Sequence, residues 1–206
     1  MSPSRRRSRK ARHKRPWNSQ GGARSGIGKS DSGPDMGLYL PLFRALNDSG
    51  SRYVVVGGLA TVLHGYPRFT ADVDLIVDLE PSAIAGAMQA LEKLDLRPRL
   101  PVPAQEFADP AQRERWMREK GMDVFSFFHP KNPMLSVDVF VHHPIPFETL
   151  YRGSKCVDIG GATIRICGID QLIELKKRAG RAQDLDDIAH LERIRKLQAD
   201  EGNRSK

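Results

Sequence analysis

Val54-Val55-Val56-Gly57-Gly58-Leu59-Ala60-Thr61-Val62-Leu63-His64-Gly65-Tyr66-Pro67-Arg68-Phe69-Thr70-Ala71-Asp72-Val73-Asp74-Leu75-Ile76-Val77 is the stretch on which the reading of this chain turns. Its β-branched triplet, stopped by two glycines, reads as the end of a short strand running from Arg52 to Val56. Leu59 to His64 suits a short helix, which Gly65-Tyr66-Pro67 breaks. Val73 to Val77 is then a second strand. Asp72 and Asp74 lie two apart at its start, so their side chains point to the same side. Two carboxylates projecting together repel one another unless a cation joins them, and a hard oxygen-seeking ion such as Mg²⁺ suits that donor set.

Working outward, Leu38, Leu40, Leu42, Phe43 and Leu46 recur at helical spacing between Met36 and Leu46, and Asn47-Asp48-Ser49-Gly50 ends the pattern. Pro81 opens a helix that reaches about Leu94. Residues 97–115 read as a loop or insertion, with a short helix around Ala111 to Glu119. Met122 to Phe128 and Leu135 to His142 form a predicted hairpin, and Cys156 to Ile159 with Ala162 to Ile166 a smaller one around Gly160-Gly161. Two helices, Ile169 to Ala179 and Leu185 to Leu197, close the chain on either side of Gly180. Alternating helices and strands that include hairpins predict an α+β or α/β fold with a mixed β-sheet, flanking helices and a C-terminal helical pair. The expected organisation is a basic, disordered tail over 1–34, an α/β core over 35–168 and C-terminal helices over 169–200.

The net charge of +8 belongs to the tail. Residues 1–30 hold ten of the 33 basic residues and no acid, leaving 23 basic against 25 acidic residues, or −2, for the rest. Such a tail lacks the apolar surface to offset ordering entropy, and its charge suits nucleic-acid phosphates. Translation starting at Met36 is an alternative in which the tail is not part of the native protein. The tail also contains Gly22-Ala23-Arg24-Ser25-Gly26-Ile27-Gly28-Lys29-Ser30, which imitates a phosphate-binding P-loop but has Ala23 where the first glycine belongs and no strand before it. No apolar run approaches the length needed to cross a bilayer. Cys156 and Cys167 show no zinc spacing, and a reducing cytoplasm is the expected setting.

Asp138, between Val137 and Val139 in a later apolar strand, is a third acid that joins the first two if the strands are neighbours. Two ions held by such a set can clamp the attacking and leaving oxygens of an in-line displacement at phosphorus. Gly57-Gly58 end a strand and open a helix, an arrangement in which free backbone N–H groups receive phosphate.

Val56-Gly57-Gly58, a thirteen-residue spacer, Asp72-Val73-Asp74-Leu75 and the later Val137-Asp138-Val139 resemble the signature of the polymerase-β-like nucleotidyltransferase superfamily. The fuller text, including Leu172-Ile173-Glu174-Leu175-Lys176-Lys177 and Gly180-Arg181 through Ile188, is similar to the minimal nucleotidyltransferases grouped with AbiEii toxins. That resemblance implies an enzyme moving a nucleoside monophosphate from an NTP to a hydroxyl, with release of pyrophosphate. It implies one or two Mg²⁺ ions on Asp72, Asp74 and Asp138, with Asp138 also helping to activate the acceptor. It implies phosphate approach at Gly57 and Gly58, phosphate or loop contacts from Arg68 and Thr70, and a triphosphate contact from Lys176 or Lys177. Arg181, Asp184 and Asp187 stand as supporting residues, although acids early in a helix also suit its dipole. The acceptor stays open among RNA, protein and small molecules, and an antitoxin partner accompanies the toxin members. A second reading keeps the fold without turnover, as a regulatory or nucleic-acid-binding module. His64 and the pair His142-His143 read as packing and strand-end residues, Asp78 and Glu80 as solvent-facing, and Asp123 as outside the site.

Overall fold

A computed structural model of the chain describes residues 36–204, so the basic tail and its P-loop imitation lie outside the described residues. In chain order the elements are α1 (Met36–Asp48), β1 (Tyr53–Val56), α2 (Gly57–Leu63), β2 (Asp72–Val77), α3 (Pro81–Lys93), β3 (Arg97–Pro98), α4 (Pro110–Lys120), β4 (Val124–His129), β5 (Asn132–Phe140), α5 (Phe147–Arg152), β6 (Lys155–Ile159), β7 (Ala162–Ile166), α6 (Ile169–Ala179) and α7 (Ala182–Arg204), with a 3₁₀ turn at Ala104–Ala108. The seven strands form one sheet in the order β3-β4-β5-β2-β1-β7-β6. Its pairings mix directions: β1 runs antiparallel to β2 but parallel to β7, while β2 and β5 run parallel. The mixed sheet with flanking helices is the architecture that the alternation of hairpins and helices predicts.

Strand patterning fixes which face does what. Val54, Val55 and Val56 are all buried, as befits a central strand covered on both sides. In β4, Phe125 and Phe127 turn inward against Phe107 and Trp116, while Val124, Ser126 and Phe128 take the opposite face. Directly opposed residues share a face, so Val56, Asp74, Asp138 and Ser126 stand in one row across four strands.

Several boundaries differ from the sequence reading. The helix α2 starts at Gly57 rather than Leu59, because Gly57 takes a left-handed φ of +61° that turns the chain straight out of β1. The strand β5 starts at Asn132 and includes Pro133; β2 pairs with it only from Ser136 onward, so the missing proline N–H lies outside that ladder. Within 97–115 the chain contributes an edge strand and the 3₁₀ turn. The helix α5, absent from the sequence reading, is held by buried Phe147 and Leu150. Asp78 is not solvent-facing: its carboxylate accepts from Arg52 at 2.7 Å, and the same guanidinium reaches Glu148 at 2.6 Å. No helix among the described residues is long and apolar enough to cross a membrane.

Candidate active site

The parallel pairing of β2 with β5 sets Asp74 directly opposite Asp138, and Asp72 opposite Ser136. All three acids therefore occupy one face at adjacent positions. Antiparallel pairing with β4 puts Ser126 opposite Asp138 on its other side, and the Ser126 hydroxyl hydrogen-bonds the Asp138 carboxylate.

Asp74 rests against the start of α2. A side chain on Gly57 would place its Cβ 1.9 Å from Asp74 Oδ2, so only glycine leaves room for the carboxylate there. The Gly58 N–H donates to Asp74. Gly58 is crowded in turn by Thr70 Oγ1 and the Arg68 guanidinium, which would lie 2.3 and 2.8 Å from its Cβ. The two glycines thus form the floor onto which β2 and the loop before it are pressed.

Charge is poorly balanced at the acids. Burial and the neighbouring Asp138 and Asp72 push the Asp74 carboxyl up to about 7, against the Gly58 N–H and Arg181, which favour its anion. Asp138 is raised by burial and Asp72, opposed by the Ser126 hydrogen bond and by Arg99. Buried carboxylates such as Asp74 and Asp138, raised in proton affinity by burial and by neighbouring acids, have equal reason to accept a divalent cation, and an all-oxygen donor set suits Mg²⁺. Among the described residues no three acidic, His or Cys side chains already converge as a closed metal cage.

A cavity of about 330 Å³ opens over the acids, lined by Gly58, Thr70, Asp72, Asp74 and Asp138 together with Arg68, Arg181 and Gln183. Phe69, 68% exposed, stands at its mouth. The wall from α7 is held by a buried ion cluster. Lys176 Nζ lies 2.6 Å from Asp187 and 3.4 Å from Asp184. Arg181 Nε donates to Asp184 Oδ2 at 2.9 Å. Arg68 Nε reaches Asp187 Oδ1 at 2.9 Å, close enough to pair charges but outside hydrogen-bonding angles. Burial works against ionisation of Asp184, yet the Arg181 hydrogen bond and Lys176 hold its carboxyl below the usual range. Tyr66 fastens the loop to α7, stacking on His190 at 3.8 Å and donating to Asp186 at 2.6 Å.

The structure therefore brings together Asp72, Asp74, Asp138, Gly58, Arg68, Thr70, Arg181 and Asp184 around one opening, with Gly57 beneath the Asp74 carboxylate. Lys176 and Asp187 sit behind it, in the ion cluster. Lys177 is not brought there: its side chain is 61% exposed and lies 3.9 Å from Glu192. Ser126, Arg99, Phe69 and Gln183 escaped the sequence reading. Ser126 carried a signal, as the one hydroxyl interrupting Val124-Phe125-Ser126-Phe127-Phe128. His64 packs as expected, its Nε2 2.7 Å from the Cys167 carbonyl.

No family model matches the sequence, and no curated protein matches it. By structure the chain is similar to the antibiotic-resistance factor ANT(2″)-Ia, solved in complex with adenylyl-2″-tobramycin, at 14% identity over 82% of this chain and 98% of that one, with a TM-score of 0.49. It is also similar to a Thermotoga maritima protein described as a candidate nucleotidyltransferase (12% identity, 80% and 92% covered, TM-score 0.47). A third is an antigenic nucleotidyltransferase-like protein from Paracoccidioides brasiliensis (18% identity, 73% and 71% covered, TM-score 0.46).

Proposed function

We propose that this chain transfers a nucleoside monophosphate from an NTP to an acceptor hydroxyl and releases pyrophosphate. One observation carries the proposal: the β2–β5 register sets Asp74 against Asp138 with Asp72 one step away, in a cavity lined also by Gly58, Arg68 and Arg181.

In the transfer, the acceptor oxygen attacks the α-phosphorus as the bond to the bridging oxygen of pyrophosphate breaks. Asp138 takes the acceptor's proton, and the Ser126 hydroxyl orients its carboxylate. Gly57 leaves the room in which the Asp74 carboxylate sits, and Gly58 the room for Thr70 and Arg68, so the glycines act by seating these side chains at the cavity. Arg181, fixed by Asp184 yet exposed to the cavity, meets the charge that builds on the departing pyrophosphate. Lys176 acts one step back, holding the carboxylate that holds Arg181. Asp72, Asp74 and Asp138 would hold Mg²⁺, which when bound supplies neutralisation of phosphate and leaving-group charge.

The test is incubation with α-³²P-labelled NTPs, Mg²⁺ and total RNA or total protein. Wild type is expected to label one acceptor fraction, and Asp72→Ala to lose at least about a hundredfold of that rate. No transfer by wild type to any acceptor, or equal transfer by Asp72→Ala, overturns the proposal.

A further inference from the structure

Phe69 is the most exposed large apolar side chain among the described residues, and it lines the mouth of a cavity made largely of charged groups. The loop that carries it is fastened on both sides of the ring. Arg68 Nη1 donates to the Phe69 carbonyl at 2.8 Å, and Thr70 Oγ1 donates to the Asp72 carbonyl at 3.3 Å. Thr70 and Arg68 are packed onto Gly58, while Tyr66 is tied to α7 through His190 and Asp186.

Among the described residues no other aromatic ring pairs with Phe69. Gln183 lines the same cavity from the first turn of α7; it is exposed, and among the described residues no hydrogen bond engages its amide. A bare ring on a fastened loop and an open carboxamide thus stand at one opening with the acids and with Arg181. Neither side chain carries a charge, and neither has a part in binding phosphate.

We infer that Phe69 and Gln183 form the seat of the nucleotide's base and that this seat makes the chain prefer purine NTPs. This rests on the nucleotidyl-transfer reading and gives it a nucleotide class. Three groups diverge from the α-phosphorus during transfer: the attacking acceptor, the departing pyrophosphate and the ribose that carries the base. Asp138 receives the first and Arg181 the second. The third is left the lining from Ala71 through Thr70 to Phe69, where the cavity opens. A base laid on the Phe69 ring gains by stacking, and the two fused rings of a purine cover more of it than the single ring of a pyrimidine. The Gln183 amide offers a donor beside an acceptor, which pair with the donor and acceptor adjacent on a purine edge. Because the loop is already fastened, little ordering entropy opposes the contact.

Calorimetric titration of the full-length protein in Mg²⁺ tests this. The probes are the non-transferable α,β-methylene analogues of ATP, GTP, CTP and UTP, with tripolyphosphate as the base-free control. Both purine analogues are expected to bind more tightly than both pyrimidine ones. Phe69→Ala should weaken the purine analogues at least about fivefold and remove the preference, and Phe69→Trp should keep it. Gln183→Leu should weaken them about threefold. All three variants should bind tripolyphosphate as wild type does. No binding of the analogues by wild type, equal affinity for all four, or a pyrimidine preference overturns the inference. So does a loss in Phe69→Ala that extends to tripolyphosphate, which makes Phe69 a prop for its loop. A loss confined to label transfer, at unchanged nucleotide affinity, makes Phe69 an acceptor contact and overturns it too. Purine-selective binding with no label transfer to RNA or protein leaves the seat and removes the transfer reading. Transfer with base-indifferent binding does the reverse.

Discussion

Asp74 is the residue at which stability and function pull apart. Its folded-state carboxyl, near 7, binds a proton more tightly than the ordinary carboxyl at 3.8, so the folded state carries the extra proton between those values. The sign follows: the contribution of Asp74 to stability is full below about pH 4 and is lost as pH rises towards 7, because ionisation of this carboxyl costs more in the fold than outside it. Asp74→Asn removes that loss. Denaturant melts are expected to show the variant gaining on wild type from pH 4 to pH 8 by on the order of 2–4 kcal/mol, and millimolar Mg²⁺ at pH 8 to narrow the gap by stabilising wild type alone. Gly57→Ala makes a second residue-scale prediction. It places a Cβ on the Asp74 carboxylate and forces a side chain into a left-handed φ, so it should cost at least about 1–2 kcal/mol in a thermal melt and abolish label transfer.

Between elements, the ion cluster that ties α6 to α7 and to the loop before β2 depends on its buried lysine. Lys176→Met leaves Asp184 and Asp187 buried without their ammonium, and urea unfolding should show a loss of about 3–5 kcal/mol. Adding Asp184→Asn and Asp187→Asn should recover part of it. Arg181→Ala removes only the exposed end of the same chain of contacts; it should leave unfolding within about 1 kcal/mol of wild type while slowing transfer about a hundredfold. Legibility in the sequence follows the same division. Periodicity revealed the strands and helices whose apolar residues repeat locally, such as α1, β2 and the β6–β7 hairpin. It missed α5, whose six residues are too few to show a period, and it started α2 late, because the glycine that begins it looks like a stop. The acids at 72 and 74 were visible through their spacing. Ser126 and Arg99 were not, since their relation to Asp138 exists only across strand pairs, and nothing in the linear spacing encodes a register.

At the scale of the whole molecule, charge and topology each have a consequence. Removing residues 1–30 takes the net charge from +8 to −2. Nucleic-acid affinity of the shortened chain should fall, with a shallower dependence on salt, while its melting temperature stays the same. Topology governs something else. Asp74 and Asp138 are 64 positions apart and meet only when β2 and β5 zip together in parallel. The β4–β5 and β6–β7 hairpins close over short loops and form early, whereas the β2–β5 pairing must wait for a long closure. The acids thus meet only after a long closure, against their own repulsion, so refolding should be slower without a divalent cation, faster with Mg²⁺, and insensitive to Mg²⁺ in Asp74→Asn. Stopped-flow refolding reads this directly: the centre that the chain builds for phosphate chemistry is also a toll on the path by which the chain becomes itself.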